Sequence, residues 1–292
     1  KPLHRFKGWG YKTHGDGWRL VTNERMKHGT LRLSGIGKVA IRGKPRTPGT
    51  PKTCEVFYRN GRWYASVTLN CEPSRQRGDK LGGLDWGLET FATVATLAGT
   101  ETIDNPRYLA RTLGEIRRLK REYEHLRRLH RKVADQRHDF LHQTTARLAG
   151  QFSALGLEEL NIRNMTASGG QHKKGLNRGI LDAAGGAFHQ RLRYKAEEAG
   201  AWAMEAPTRQ LKPSQTCHAC GRREKKPLGQ RRHACPCGAS CSRDENAARV
   251  LMNWAEQRLS GREPAEAWRE VRPNHPLGES ALSVKRETHA IA

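Results

Sequence analysis

Long apolar runs are missing from this chain. Across its 292 residues no stretch reaches the roughly 18 consecutive apolar residues that a membrane-crossing helix needs, so no membrane association is expected. The opening segment, Lys1 to Trp9, holds no apolar core of signal-peptide length. Export is therefore not expected, and the anticipated location is the cytoplasm, in association with the nucleoid. Acidic residues are also scarce. Asp and Glu total 29 against 53 Lys and Arg, a net charge of +24 with a pI near 10.3. An excess of that size calls for a polyanion, and nucleic acid is the usual one. Small-metabolite enzymes are disfavoured, while a ribosomal protein, a nuclease and a DNA-binding regulator all fit. With 36% hydrophobic residues and a mean hydropathy of −0.82, the core is modest.

Cysteine is sparse outside one segment. Seven occur, and five of them (Cys217, Cys220, Cys235, Cys237 and Cys241) crowd into one short stretch. An odd, clustered set without an export signal argues for a metal site rather than disulfides. Cys54 and Cys71 stand alone and read as small buried apolar residues.

The chain is organised in blocks. Residues 1–80 read as short strands broken by Gly and Pro, with Leu31 to Val39 a strand entering a turn. Two β-rich runs flank Asn60-Gly61, a dipeptide suited to a type I′ hairpin. A polar linker covers residues 72–80, and Leu81 to Leu97 resumes a sheet. From Arg107 to Gln151 apolar residues recur at helical spacing: Leu109, Leu113, Ile116, Leu119, Tyr123, Leu126, Leu129 and Val133. The opposite face carries Arg117, Arg118, Lys120, Arg121, Arg127, Arg128, Arg131 and Lys132, too many bases for Glu115, Glu122 and Glu124 to balance. Such a face is either simply solvated or turned toward phosphate. Residues 153–162 read as a strand, 168–179 as a Gly-rich basic loop, 182–200 as a helix and 245–259 as a short amphipathic helix. Residues 263–292, rich in Glu, Pro, Arg and Ser, read as a loosely ordered tail.

Three acids stand out in apolar surroundings. Asp85 lies in Gly82-Gly83-Leu84-Asp85-Trp86-Gly87, a strand whose glycines permit close backbone approach. Glu158 and Glu159 end a second strand, and Asp244 stands at a helix start, where it could be no more than an N-cap. Together they suggest phosphodiester hydrolysis, in which two Mg²⁺ ions about 3.5–4 Å apart serve the attacking and leaving oxygens. Hard cations select carboxylate oxygens. The cysteines give the stronger signal: Cys217-x-x-Cys220 and Cys235-Pro236-Cys237 are two close pairs at hairpin separation, the pattern of a tetrahedral Zn²⁺ site. Because the second pair is one residue short, Cys241 could replace Cys235 or Cys237, and His218 or His233 could compete.

These stretches resemble a known family. Gly83-Leu84-Asp85-Trp86-Gly87, Leu157-Glu158-Glu159-Leu160-Asn161-Ile162-Arg163-Asn164-Met165 and Arg243-Asp244-Glu245-Asn246-Ala247-Ala248 look like the three RuvC motifs of the transposon-encoded TnpB proteins, relatives of the type V CRISPR effectors. Lys212-Pro213-Ser214-Gln215-Thr216-Cys217 ahead of the zinc knuckle agrees, and the Asn60-Gly61-Arg62-Trp63-Tyr64 hairpin resembles the family's wedge barrel. The resemblance implies an α/β fold, an RNase H-like mixed sheet with a helical insertion and a zinc ribbon, preceded by a small all-β barrel-like domain. It implies a partial wedge domain at 1–80, a RuvC-like core at 81–212 with its basic insertion at about 107–150, a zinc ribbon at 213–241 and the last motif with its helix at 242–262. It also implies an RNA-guided DNA endonuclease whose catalytic Mg²⁺ ligands are Asp85, Glu158 and Asp244, with one structural Zn²⁺ on Cys217, Cys220, Cys235 and Cys237. The implied partners are a guide RNA from the element end and a double-stranded DNA target.

Three departures qualify the likeness. Family members are usually longer at the N-terminus, Ser242 stands where Asp commonly precedes the Arg of the third motif, and the closing knuckle is short. The alternative is a non-catalytic or truncated RNA- or DNA-binding regulator of the same family. No tyrosine with paired histidines marks the chain as a single-strand transposase. The charge balance predicts nucleic-acid affinity that falls steeply with salt, and a flat response between low and moderate ionic strength in a filter-binding titration would exclude the basic-face reading.

Overall fold

The computed structural model describes residues 8–45, 48–59, 62–119, 122–167, 170–227, 229–261 and 290–291. The chain divides after Pro73 into two compact units. The first is all-β. Strands β1 (Gly8–Tyr11), β5 (Thr50–Arg59) and β6 (Arg62–Asn70) form one antiparallel sheet, to whose β6 edge Ala290–Ile291 also pairs. Strands β2 (Trp18–Val21), β3 (Gly29–Leu33) and β4 (Gly37–Ile41) form another. Alternation along the strands turns Cys54, Val56, Ala65, Val67 and Leu69 inward, where they meet Trp18, Leu31, Leu33 and Ile41. Cys54 is buried as expected, and burial pushes its thiol up to about 11, whereas Cys71 is only half-buried. Leu31 to Val39 proves to be a hairpin, β3 to β4, turning through Gly35 at φ 79°. The Asn60-Gly61 turn lies outside the described residues, as do residues 262–289, most of the expected tail.

The second unit carries the mixed α/β sheet. Its strands are β7 (Lys80–Trp86), β8 (Thr90–Thr96), β9 (Gly99–Asp104), β10 (Phe152–Glu158) and β11 (Trp202–Ala206), in the order β11-β10-β7-β8-β9. β10 runs parallel to both β7 and β11, while β8 is antiparallel to both β7 and β9. On one face pack α2 (Tyr123–Gln151), α4 (Gln171–Ala183) and α5 (Gly185–Ala199). Leu141, Leu148, Ile180, Phe188 and Leu192 join Leu84, Phe91 and Leu157 there, and Phe91 meets both Phe140 and Phe188 edge-on at 4.9 Å.

The other face is covered by α7 (Arg243–Ser260), and glycine decides how closely. Gly83 and Gly156 are paired in register on neighbouring strands. A Cβ on Gly83 would lie 2.1 Å from the Ala248 carbonyl oxygen, and one on Gly156 would lie 2.3 Å from that of Leu251. No side chain fits between sheet and helix at either position, so the α7 backbone rests directly on the strands.

Helical periodicity located the helices but not their breaks. The expected single helix from Arg107 to Gln151 is two, α1 (Tyr108–Arg118) and α2, and Tyr123, assigned to the apolar face, is 72% exposed. Arg117, Arg118, Arg128 and Lys132 are exposed, consistent with their polar face. The expected loop at 168–179 is mostly helix: α4 forms despite Gly175 and Gly179 because its end buries Ile180 and Ala183 in the core, outweighing propensity. The expected helix at 182–200 is interrupted at Ala184, which adopts φ 52° between α4 and α5. The strand expected at 153–162 ends at Glu158, and Ile162–Thr166 forms the short helix α3, capped by the Asn161 side chain.

The glycine contacts predict opposite outcomes for two like substitutions. Gly83→Ala is expected to cost about 3 kcal/mol through overpacking, and Gly175→Ala, with nothing within 4 Å of the new Cβ, to gain about 0.5–1 kcal/mol. Urea melts that moved both midpoints in the same direction would contradict this account of the sheet–helix contact.

Candidate active site and metal centre

The glycines and the acids share one face. In a strand, residues two apart point the same way, so Asp85 stands beside Gly83 and Glu158 beside Gly156, both toward α7. Leu157 pairs with Leu84, which brings Glu158 next to Asp85 at the ends of two adjacent parallel strands. Ala248 rests on Gly83, and Asp244 precedes it by one helical turn. All three carboxylates therefore converge.

Their electrostatics record the convergence. Asp85 is driven well above the usual carboxylate range, first by desolvation and then by the charges of Glu158 and Asp244, with Arg243 opposing. Glu158 is raised to about 7 by burial and by Asp244, against a hydrogen bond donated by the Trp86 backbone N–H. Glu159, the alternative at this strand end, is exposed, and its backbone N–H donates to Thr208 Oγ1 at 2.8 Å, on the helical turn α6 (Thr208–Leu211). Asp244 is not the N-cap. Ser242 has that role, its Oγ accepting from the Glu245 N–H at 3.0 Å, which leaves the Asp244 carboxylate free of capping duty. Oxygen donors gathered against their own repulsion suit a hard divalent cation.

The cysteine segment forms a second centre. Strands β12 (Arg232–Ala234) and β13 (Ser240–Ser242) make an antiparallel hairpin. The Sγ atoms of Cys217, Cys220, Cys235 and Cys237 lie within 4.8 Å of one another, with Cys217 to Cys237 at 3.7 Å and Cys220 to Cys235 at 3.6 Å. Four thiolates 2.3 Å from a tetrahedral zinc stand about 3.8 Å apart, so the set fits. Each knuckle turns through a glycine at positive φ directly after its second cysteine, Gly221 at 73° and Gly238 at 94°. Burial pushes the Cys217 thiol up, but the N–H groups of Cys220 and Ala219 and the side chains of His233 and Cys235 outweigh it, leaving it lowered to about 5. Cys241 lies outside this set, opposite His233 in the hairpin. Cys217, His218 and His233 make an overlapping group, in which the Lys226 Nζ contacts His233 Nδ1.

Comparison with known proteins finds matches over the same segments. Residues 65–169 match a family described as "Probable transposase" (OrfB of IS605), and residues 186–251 match the "Cas12f1-like, TNB domain". The two matched segments span the acids and the cysteines. These matches and the relatives below support a TnpB-family protein. A Streptomyces pristinaespiralis relative named "Putative RNA-guided DNA endonuclease" is 30% identical over 66% of this chain and 50% of its own. The "Putative RNA-guided DNA endonuclease InsQ" of Escherichia coli (strain K12) is 26% identical over 75% of this chain and 60% of its own. The chain thus spans between half and three-fifths of the length of these relatives. Among solved structures, a cryo-EM structure of a Cas12f1–sgRNA–target DNA complex aligns with a TM-score of 0.46 and 17% identity over 68% of this chain and 55% of that one.

Sequence reading missed residues that organise the site without belonging to it. Arg243 tempers the charge of Asp85, and its guanidinium donates to the Pro227 carbonyl at 3.0 Å. Asn246, fully buried, bonds to residues on both sides of Cys217. Within Arg243-Asp244-Glu245-Asn246 the acid drew the attention, and only the fold reveals what the neighbouring side chains hold.

The raised carboxyls make a pH prediction. A carboxyl whose folded value exceeds its unfolded one stabilises the fold fully below the unfolded value and loses that contribution as pH rises through the folded one. For Glu158 the window runs from its ordinary 4.5 to about 7. Without added divalent cations, Glu158→Gln is therefore expected to exceed the parent by on the order of 1–3 kcal/mol at pH 8 and to match it near pH 4. Calorimetric melts with no pH-dependent gap between the two would refute the clustering.

Proposed function

We propose that this chain is the nuclease part of an RNA-guided DNA endonuclease of a transposable element, hydrolysing DNA phosphodiesters. The observation that supports this most is the meeting of Asp85, Glu158 and Asp244 on one face of the sheet. Asp85 and Glu158 come from adjacent strand ends and Asp244 from the first turn of α7. In this reading the three carboxylates are the ligands of a pair of divalent cations. Bound Mg²⁺ supplies an activated water and offsets charge on the leaving oxygen. The chain's own residues do the positioning: the Trp86 N–H orients the Glu158 carboxylate, and Arg243 limits the charge at Asp85. The four thiolates hold a structural Zn²⁺ that folds the ribbon.

The proposed partners are a guide RNA from the element end and a double-stranded DNA target. Base pairing would read the target sequence, leaving the protein to grip backbone shape. The exposed bases of α1 and α2 (Arg117, Arg118, Arg128 and Lys132) offer a phosphate-facing surface for that grip. The names of the S. pristinaespiralis and E. coli relatives support this activity.

Co-expression with RNA from the chain's own locus tests the reading. In Mg²⁺, a plasmid matching the guide is expected to be cut, and Asp85→Ala is expected to lower the rate by at least about 10³-fold, as loss of a group acting on the transition state does. RNA bound with DNA uncut by both proteins would instead establish a non-catalytic binder.

A further inference from the structure

The ribbon and the acids are joined through one side chain. β13 runs without a break into α7, so the ribbon's last strand becomes the helix that carries Asp244. Two residues beyond that aspartate, Asn246 is fully buried and hydrogen-bonded at both ends of its carboxamide. Its Nδ2 donates to the Thr216 carbonyl at 2.7 Å and the Pro213 carbonyl at 3.2 Å. Its Oδ1 accepts from the His218 backbone N–H at 3.1 Å and lies 3.0 Å from His218 Nδ1. Thr216 and His218 flank Cys217, so Asn246 grips the first knuckle on both sides of a thiolate. One heptad along the same helix face, Asn253 Nδ2 donates to the His218 carbonyl at 2.8 Å.

This carboxamide has an unusual pair of neighbours. The path of the backbone through Thr216, Cys217 and His218 is set by the four sulfurs closing on a common centre. When they do not, the bonding partners of Asn246 move, and a buried amide left without them costs about 1–3 kcal/mol. The first turn of α7 then has to give, and Asp244 lies in that turn.

We propose that Asn246 is a positioning residue through which the four-thiolate site sets the place of Asp244, so that metal binding in the ribbon and divalent-cation binding at the acids are thermodynamically linked. The inference rests on the nuclease reading above but goes beyond it, because it assigns the ribbon a role in the acid site as well as in its own folding. Linkage is reciprocal: cations at the acids also tighten zinc binding in the ribbon by the same factor. Groups that orient ligands from outside the coordination shell typically change metal affinity 10–100-fold.

The test uses the full chain, zinc-loaded and zinc-stripped, with Mn²⁺ as the probe and electron paramagnetic resonance of free Mn²⁺ as the readout. Stripping zinc is expected to weaken Mn²⁺ binding about tenfold or more. Asn246→Ala, zinc-loaded, is expected to show a comparable loss and almost no further loss on stripping. Asn253→Ala, which removes one bond and keeps Asn246, guards against a misfolded first variant and is expected to fall between. Hydrogen exchange at residues 244–246 is expected to quicken on stripping in the parent only. Unchanged Mn²⁺ affinity after stripping, or losses from stripping and Asn246→Ala that simply add, overturns the linkage and leaves the nuclease reading standing. Mn²⁺ binding that is unaffected by Asp85→Asn overturns the acid-site reading and the linkage together.

Discussion

Backbone-on-backbone contact between α7 and the central strands is the constraint from which the site follows. An ordinary helix on a sheet is held off by the side chains of both. Here Gly83 and Gly156, paired across β7 and β10, remove the sheet's share at two points, and the Ala248 and Leu251 carbonyls descend into the space. The small residues Ala247, Ala248 and Ala255 reduce the helix's share and are all buried. Because strand residues alternate, the next residues on the same face are Asp85 and Glu158. The close approach that packs the helix thus also brings its first turn over two carboxylates.

That arrangement is electrostatically adverse in isolation. Burial and the neighbouring carboxylates raise the proton affinity of Asp85 and Glu158, and Arg243 acts against the rise at Asp85. The chain carries a net charge of +24, yet among the described residues Arg243 is the basic group acting on Asp85. Groups selected only for stability would not be gathered this way, since replacing them by neutral isosteres relieves the strain. In the proposed reading, the adverse energy is that of a site kept ready for cations from solution.

The ribbon contributes more than a folded appendage. Its hairpin passes directly into α7, Arg243 ties the helix start to the Pro227 carbonyl, and Asn246 ties the first turn to the backbone around Cys217. Three kinds of bond, covalent continuity, a charged donor and a buried carboxamide, meet within four residues of Asp244. A small module closed by four sulfurs around one centre gives a helix terminus that would otherwise fray a place to anchor.

Much of this was legible beforehand, for particular reasons. Composition and charge pointed to nucleic acid because charge sums do not depend on conformation. Cysteine spacing pointed to a metal because two close pairs at hairpin distance have few other uses. The apolar strands were visible because burial on both faces leaves uninterrupted runs such as Ala154 to Leu157. Element limits were less legible. Gly175 and Gly179 disguised a helix that tertiary burial of Ile180 sustains, and no pattern marked the break between α1 and α2 or the turn at Ala184. The sequence by itself determined which residues could do chemistry, since carboxylates and thiolates bring their reactivity with them. Which of Glu158 and Glu159 faces the acids, which four sulfurs share a centre and what Asn246 holds were decided only by the tertiary structure, because each depends on residues brought together from distant parts of the chain.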